Sequence, residues 1–348
     1  MNNLTNNSAI KKAIAVLIEH SDLSHKEVEL IFEEILTGKA TASQIACFLT
    51  ALRVKGETVE EITAAAQVMR RFVTKICAKD KTILDTCGTG GDYSGTFNIS
   101  TVSAFVAAGA GVRVAKHGNR SISSHCGSAD VLEGLGININ ISVEKVEDCL
   151  EKNGIAFLFA PILHPAMKYA QPVRQEIGIR TIFNILGPLT NPAGAAHQLI
   201  GVYDDKWVKP LAEVLLNLGS KHALIVHGKD GIDEVTTTTK TFVAEVKNKK
   251  VKTFEITPSE FGIKKASLSD LCDGSVESNV EIVRDVLAGK KGAKRDIVIL
   301  NAGCAIYAAD YALTIEEGMK KAKESIDSGK AAEKLEMLRE FTSSITLS

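Results

Sequence analysis

Apolar side chains recur three and four residues apart along the N-terminal stretch, as in Ile10, Ile14 and Leu17 and again in Ile45, Phe48, Leu49 and Leu52. That spacing places them on one face of an α-helix. Polar positions mark where helices start: Ser24 precedes Glu27, Thr41 precedes Gln44 and Thr58 precedes Glu61, each by three residues. In such a capping box the hydroxyl and the carboxylate or amide each take a backbone N–H that a first helical turn leaves unpaired. The pattern predicts a helical domain over residues 1–75.

From Lys81 the texture changes to short runs rich in β-branched residues that end in glycine or polar turns and alternate with alanine-rich stretches. This is the α/β pattern. Strands are predicted at 82–85, 112–115, 155–160, 198–202, 223–227 and 296–300, and helices at 101–109, 130–135, 206–218 and 278–288. Two stretches break the alternation. Residues 165–181 look helical between strands, and the segment to about 190 is expected to pack on the N-terminal helices; residues 236–256 read as an antiparallel excursion, 241–246 pairing with 251–256 across the turn 247–250. A last helical region opens with a capping box at Thr314 and Glu317. The expected fold class is α/β, with a small N-terminal helical domain plus a large α/β domain of residues 76–164 and 191–348. Its central sheet is mostly parallel, with right-handed crossovers.

Composition sets limits on this picture. With 348 residues, 45% of them hydrophobic and 24% charged, the chain can bury a large core and is not a disordered one. Forty-one basic residues against forty-two acidic ones leave a net charge of -1, so no global field draws in nucleic acid or an anionic membrane. Any anion site must be local. The seven cysteines are scattered and form no C-x-x-C spacing, which argues against a disulfide framework or a zinc site and fits a reducing compartment. The N-terminal residues 1–7 lack the basic start and apolar run of a secretory signal, and no stretch approaches the roughly 18 apolar residues that a membrane-spanning helix requires. Cytoplasmic location is expected, with no membrane and no nucleic-acid partner.

The candidate chemistry lies at strand ends. The first predicted strand runs into Thr86-Cys87-Gly88-Thr89-Gly90-Gly91-Asp92, then Thr96, Asn98, Ile99, Ser100 and Thr101 at a helix start. A glycine turn feeding a helix N-terminus lets backbone N–H groups approach an anion, and phosphate is the natural guest. A tight turn with a capped helix would explain the glycines alone equally well. No Gly-Lys-Ser/Thr follows at Walker spacing, and Tyr93 stands where a dinucleotide fingerprint needs its third glycine. After the next strand, residues 116–128 pack Lys116, His117, Asn119, Arg120, His125 and several hydroxyls into one loop, a density suited to an anionic, hydroxyl-rich ligand, although a plain solvated surface loop is the alternative. Further on, Asp233 and Glu234 are adjacent; hard oxygen ligands suit Mg²⁺, although two solvated acids in a turn are the commoner case.

Together these segments resemble the anthranilate phosphoribosyltransferases of tryptophan biosynthesis, over nearly the whole chain. The resemblance rests on Gly-Thr-Gly-Gly-Asp at 88–92, Asn-Ile-Ser-Thr at 98–101, Lys-His-Gly-Asn-Arg at 116–120, the run Arg-Thr-Ile-Phe-Asn-Ile-Leu-Gly-Pro-Leu-Thr-Asn-Pro at 180–192, and Asp233-Glu234. It implies the architecture shared by nucleoside phosphorylases and these phosphoribosyltransferases, and transfer of phosphoribosyl from phosphoribosyl pyrophosphate to the amine of anthranilate. By the same resemblance Gly88, Gly91, Asp92, Thr96, Asn98, Ile99, Ser100 and Thr101 contact the ribose and pyrophosphate. Lys116, His117, Gly118, Asn119, Arg120, Ser121, Ile122, Ser123, Ser124 and Ser128 close over the phosphates. Ser100, Asp233 and Glu234 position Mg²⁺, with two ions per site implied. Gly88, Asn119, His164 and Arg174 contact anthranilate; a guanidinium such as that of Arg174 forks onto a carboxylate as lysine cannot. The resemblance also implies a homodimer formed through the helical domain. His125 and Cys126 depart from the family wording, and Cys126, where serine is common, is expected either to weaken one hydroxyl contact or to make the enzyme sensitive to oxidation. A pyrimidine nucleoside phosphorylase is the nearest enzymatic rival, but the acid pair and the Gly-Thr-Gly-Gly-Asp turn favour a pyrophosphate leaving group.

Overall fold

The computed structural model describes residues 8–79, 82–120, 126–272 and 275–344. Backbone contacts divide the chain into two units, one of residues 1–74 and 163–190, the other of residues 75–162 and 191–348.

The first unit is helical. Helices Ala9–Ile18, His25–Leu36, Ala42–Lys55 and Val59–Phe72 bury Ile10, Leu17, Phe32, Ile45, Phe48, Leu49 and Leu52. Burial of side chains this size stabilises by about 1.5–3 kcal/mol each. All three expected capping boxes form, with Ser24 N, Thr41 N and Thr58 N donating to Glu27, Gln44 and Glu61 at 2.8, 2.9 and 2.8 Å. Glu61 does more than cap: fully buried, it also accepts from Leu23 N and Lys55 Nζ, both at 2.9 Å. The later segment adds helices Gln171–Ile177 and Ile182–Leu186. Phe183 stacks at a tilt on Phe32 with ring centroids 5.6 Å apart, and Arg70 Nε donates to Leu189 O at 2.7 Å.

The second unit is built on a seven-stranded sheet of β1 (Ile83–Gly88), β2 (Arg113–Gly118), β3 (Ile155–Phe159), β4 (His197–Gly201), β5 (His222–Gly228), β6 (Thr241–Lys247) and β7 (Lys250–Ile256). The order is β3-β2-β1-β4-β5-β6-β7, the first five being parallel and the last two antiparallel. The fold is the expected α/β class. The hairpin also forms as read: Asn248 and Lys249 take φ of 52° and 57° between β6 and β7, the left-handed pair that a two-residue turn requires. The chain steps from β1 to β2 and β3 on one side, then returns to place β4 on the other side of β1. The carboxyl ends of β1 and β4 therefore lie at the point where strand order reverses, where open α/β sheets bind ligands. Gly88 pairs with Gly201 at that point.

One predicted strand is wrong. Residues 296–300 belong to the 16-residue helix Ala293–Ala308. Its run Ile297, Val298, Ile299, Leu300 is apolar on every side because the helix is buried almost all round, and such a helix shows no period to distinguish it from a core strand. The helix Val143–Asn153, capped by Ser142 and ended by Gly154 at φ 71°, is an element the pattern did not single out. At Thr314 the cap forms with Glu317 N at 3.2 Å, but the Glu317 carboxylate takes Leu313 N rather than Thr314 N. Among the described residues, no helix is long and apolar enough to cross a membrane.

Candidate active site

The glycine turn is shaped by what it must touch. Gly90 and Gly91 follow β1 with φ of 63° and 76°, a region that side chains with a Cβ rarely enter. Gly90 N donates to Asp233 Oδ2 at 3.0 Å, and a Cβ on Gly88 would lie 2.6 Å from the same oxygen. On the neighbouring strand a Cβ on Gly201 would overlap the Asp233 carbonyl. The paired ends of β1 and β4 thus accept the loop that carries the acid pair only because both positions lack a side chain. Asp92 folds into its own turn, accepting from Ser94 N at 3.3 Å and Ser94 Oγ at 2.6 Å, and also accepts from Asp233 N at 3.4 Å.

Helix Ile99–Gly109 begins at Asn98, whose side chain does not cap it. Ser100 N instead donates to Glu234 Oε1 at 3.1 Å. The sequence-distant acids 233 and 234 therefore reach the two ends of the glycine motif, Asp233 the turn and Glu234 the helix start. Thr101 Oγ1 is buried and has no hydrogen-bond partner among the described residues. Desolvation and the charge of Asp92 push Asp233 up to about 7, and desolvation with the charge of Asp233 pushes Glu234 well above the usual carboxylate range. Like charges gathered in this way call for a cation, and a set of carboxylate and hydroxyl oxygens fits magnesium. Among the described residues there is no cluster of three His, Cys, Asp or Glu side chains that could hold a metal alone.

Beneath the turn lies a buried polar layer. Lys116 is nearly fully buried on β2 and its Nζ donates to Thr86 O at 2.5 Å and Ser100 Oγ at 3.3 Å, so the ammonium faces the underside of the helix start. Burial pulls its pKa down and Asp85 opposes that pull. Asp85, buried and pushed up by desolvation, accepts from His117 N at 3.0 Å and Asn191 Nδ2 at 2.8 Å. Asn191 also donates to Ala115 O at 2.9 Å.

At the end of β2, Gly118 and Asn119 lead to Arg120. Arg120 forks onto Glu133 at 2.5 and 2.8 Å, reaches Asp130 at 3.1 Å, and lies over the Phe159 ring. Asn119 O accepts from Ser128 Oγ at 3.3 Å. Ser121, Ile122, Ser123, Ser124 and His125 lie outside the described residues. Asn98 Nδ2 donates to Cys126 O at 3.3 Å, and burial pushes the Cys126 thiol up to about 11. That shift suppresses the thiolate on which oxidation depends and opposes the expected redox sensitivity.

Of the expected acceptor residues, His164 and Arg174 belong to the helical unit. Desolvation lowers His164 to about 4, so its ring is neutral near pH 7. Arg174, on Gln171–Ile177, donates to Gln171 Oε1 at 3.3 Å, lies 5.4 Å from the Phe183 ring centroid, and is lowered by desolvation to about 10. Sequence reasoning did not assign roles to Asp85, Asn191, Gly201, Asn301 or Asn279, the last accepting from Asn98 N at 3.0 Å. Asn191 stood inside a motif segment, Asp85 ended the predicted strand ahead of the glycine turn, and a glycine near a strand end was the only signal at Gly201.

Comparison with known proteins defines first a class. Residues 11–73 match the model of the glycosyl transferase family, helical bundle domain, and residues 80–332 that of the glycosyl transferase family, a/b domain. The chain is thus a glycosyltransferase of the kind that joins a helical bundle to an α/β domain. It is 54% identical to anthranilate phosphoribosyltransferase of Acetivibrio thermocellus over 96% of this chain and 97% of that protein. The crystal structure of the enzyme from Thermus thermophilus superposes with a TM-score of 0.91 at 41% identity, covering 97% of this chain and 100% of that one. The enzyme from Saccharomyces cerevisiae in complex with PRPP and Mg does so with a TM-score of 0.89 at 30% identity, covering 99% and 100%. The chain belongs to the anthranilate phosphoribosyltransferase family.

Proposed function

We propose that the glycine turn, the start of helix Ile99–Gly109 and the loop bearing Asp233 and Glu234 form the phosphoribosyl pyrophosphate site of this chain. The observation that carries the reading is the convergence of Gly90 N, Ser100 N and the two acids, brought together from 143 and 134 residues apart in sequence. The enzyme transfers the 5-phosphoribosyl group of phosphoribosyl pyrophosphate to the amine of anthranilate, giving N-(5-phosphoribosyl)anthranilate and pyrophosphate in tryptophan biosynthesis.

The reaction breaks the C1–O bond to pyrophosphate, and positive charge develops at C1 and the ring oxygen. Gly91, Asp92, Thr96 and Asn98 to Thr101 bind and orient the donor, the Asn98 amide and the hydroxyls supplying neutral donors where a helix N-terminus already favours negative charge. Gly118, Asn119, Arg120 and Ser128 cover the phosphates from the end of β2. Lys116 acts from below, its buried charge supporting Ser100 and offsetting the acids. Ser100, Asp233 and Glu234 would hold magnesium, two ions per site, and the bound metal supplies charge neutralisation of the departing pyrophosphate. The arylamine is an unprotonated nucleophile at neutral pH, so no side chain serves as catalytic base and the rate comes from alignment and preorganised charge. Arg174, with His164 on the same unit, is assigned to the acceptor, its guanidinium pairing with the carboxylate.

The helical unit exposes Ile18, Leu30, Val54, Tyr169 and Ile179, which supports a homodimer through that unit; a monomer by sedimentation equilibrium would reject it. Activity is tested by mixing the protein with anthranilate, phosphoribosyl pyrophosphate and Mg²⁺ and following the loss of anthranilate fluorescence. Magnesium-dependent loss is expected, and fluorescence that stays constant at every magnesium concentration overturns the reading.

A further inference from the structure

The loop bearing the acid pair is anchored on both sides of it, and between those anchors Gly90 N and Ser100 N take the carboxylates of Asp233 and Glu234. Upstream the loop is closed on itself by Gly228 N donating to Ile232 O at 2.9 Å. Immediately downstream of Glu234, Val235 is fully buried, and both of its backbone groups are met by one side chain. Val235 N donates to Asn301 Oδ1 at 2.9 Å, and Asn301 Nδ2 donates to Val235 O at 2.8 Å. The amide thereby pairs with the peptide as a neighbouring strand would.

Asn301 itself is out of keeping with its surroundings. It is completely buried on helix Ala293–Ala308 among Val298, Leu300, Ala302 and Ala305, where an apolar residue would suit the core and the helix better. Its second amide hydrogen goes to Ile297 O at 2.9 Å, so all three bonds agree on one orientation of the amide. A carboxylate in its place would face two carbonyl oxygens. A leucine would leave the N–H and C=O of Val235 buried without the partners that Asn301 supplies.

We propose that Asn301 is a positioning residue for catalysis, setting magnesium affinity by pinning the Val235 peptide that directly follows Asp233 and Glu234. The proposal rests on the reading of those two acids as metal ligands. Asn301 acts through the backbone and not by touching substrate. Its effect belongs to the metal requirement and leaves the acceptor untouched.

The test is Mg²⁺ binding to the full-length enzyme and to Asn301→Ser, measured directly by isothermal titration calorimetry with phosphoribosyl pyrophosphate present, and steady-state kinetics titrated with Mg²⁺ at saturating substrates, with the anthranilate KM measured alongside. Loss of a group that orients metal ligands typically weakens metal binding 10- to 100-fold. The half-saturating Mg²⁺ concentration is therefore expected to rise about tenfold or more, while the anthranilate KM stays at the wild-type value. A folded variant with unchanged half-saturating Mg²⁺ overturns the proposal, even if its melting temperature or kcat falls, because Asn301 is then only structural. Should Asn301→Ser not fold, the same titration of Asn301→Ala, which buries no charge and suits the helix, decides by the same criterion. A wild-type enzyme indifferent to Mg²⁺ would instead refute the metal-site reading itself.

Discussion

Asp233 and Glu234 are held where their charges are unfavourable, which is the condition of a site that stores its affinity for a cation. Asp233→Asn and Glu234→Gln are expected to lower kcat by about 100-fold or more, since electrostatic stabilisation by a metal is worth several kcal/mol. Both variants should melt no lower than wild type in the absence of magnesium, because each removes one of the repelling charges. Saturating Mg²⁺ that restores wild-type kcat would refute the assignment, as would a collapse of the melting temperature. Arg174→Ala is expected to raise the anthranilate KM about tenfold or more, the scale of a charge-assisted hydrogen bond, with little change for phosphoribosyl pyrophosphate. An unchanged anthranilate KM would reject that role. His164 illustrates how burial sets a titration. Its ring falls from the ordinary 6.5 to about 4, so between those values the unfolded chain binds a proton that the folded one refuses. The stability that His164 contributes is complete above pH 6.5 and is lost as the pH falls toward 4, by about 3 kcal/mol in total. Thermal melts across that range should fall less steeply in His164→Gln than in wild type; identical slopes would contradict the burial argument.

At the scale of elements, caps and strand ends decide where function can sit. The boxes at Ser24, Thr41 and Thr58 follow from local chemistry, and each forms where the sequence predicts. Thr58→Ala should cost about 1 kcal/mol in urea unfolding, the usual worth of an N-cap; no change would mean that Glu61, with its bonds to Lys55 and Leu23, holds this turn alone. The ends of β1 and β4 answer to a different requirement. Gly201 has no unusual backbone angle among the positive-φ residues, yet a Cβ there would strike the Asp233 backbone. Gly201→Ala is therefore expected to displace the acid loop, lowering stability by about 1–3 kcal/mol as overpacking does and kcat with it. Wild-type activity would show that the loop can shift without loss. The helix Ala293–Ala308 shows the limit of periodicity: buried almost all round, it offered no polar face from which its type could be read.

At the scale of the molecule, the helical unit and the seven-stranded sheet are what the two hydrophobic periods of the chain specify, 3.6 residues in the first part and alternation of strands with helices after it. Local sequence was enough for the caps, the hairpin turn at Asn248 and Lys249, and the glycine turn, because each depends on neighbours within a few residues. Motif resemblance named Asp233 and Glu234 as partners of the glycine turn, but spacing alone could not join residues more than 130 positions apart. That juncture comes from strand order. Placing β4 beside β1 brings Gly201 to Gly88, and the loop after β5 crosses them to set its acids at the turn and the helix start. The inward orientation of Lys116 and the anchoring of Val235 by Asn301 likewise arise only on packing, when buried polar groups must find partners. The sequence by itself determined which residue types were available for phosphate and magnesium chemistry and the class of fold that carries them. The tertiary structure alone decided which of them meet, because contact between distant residues is set by topology and by the demand that no buried charge or peptide be left unpaired.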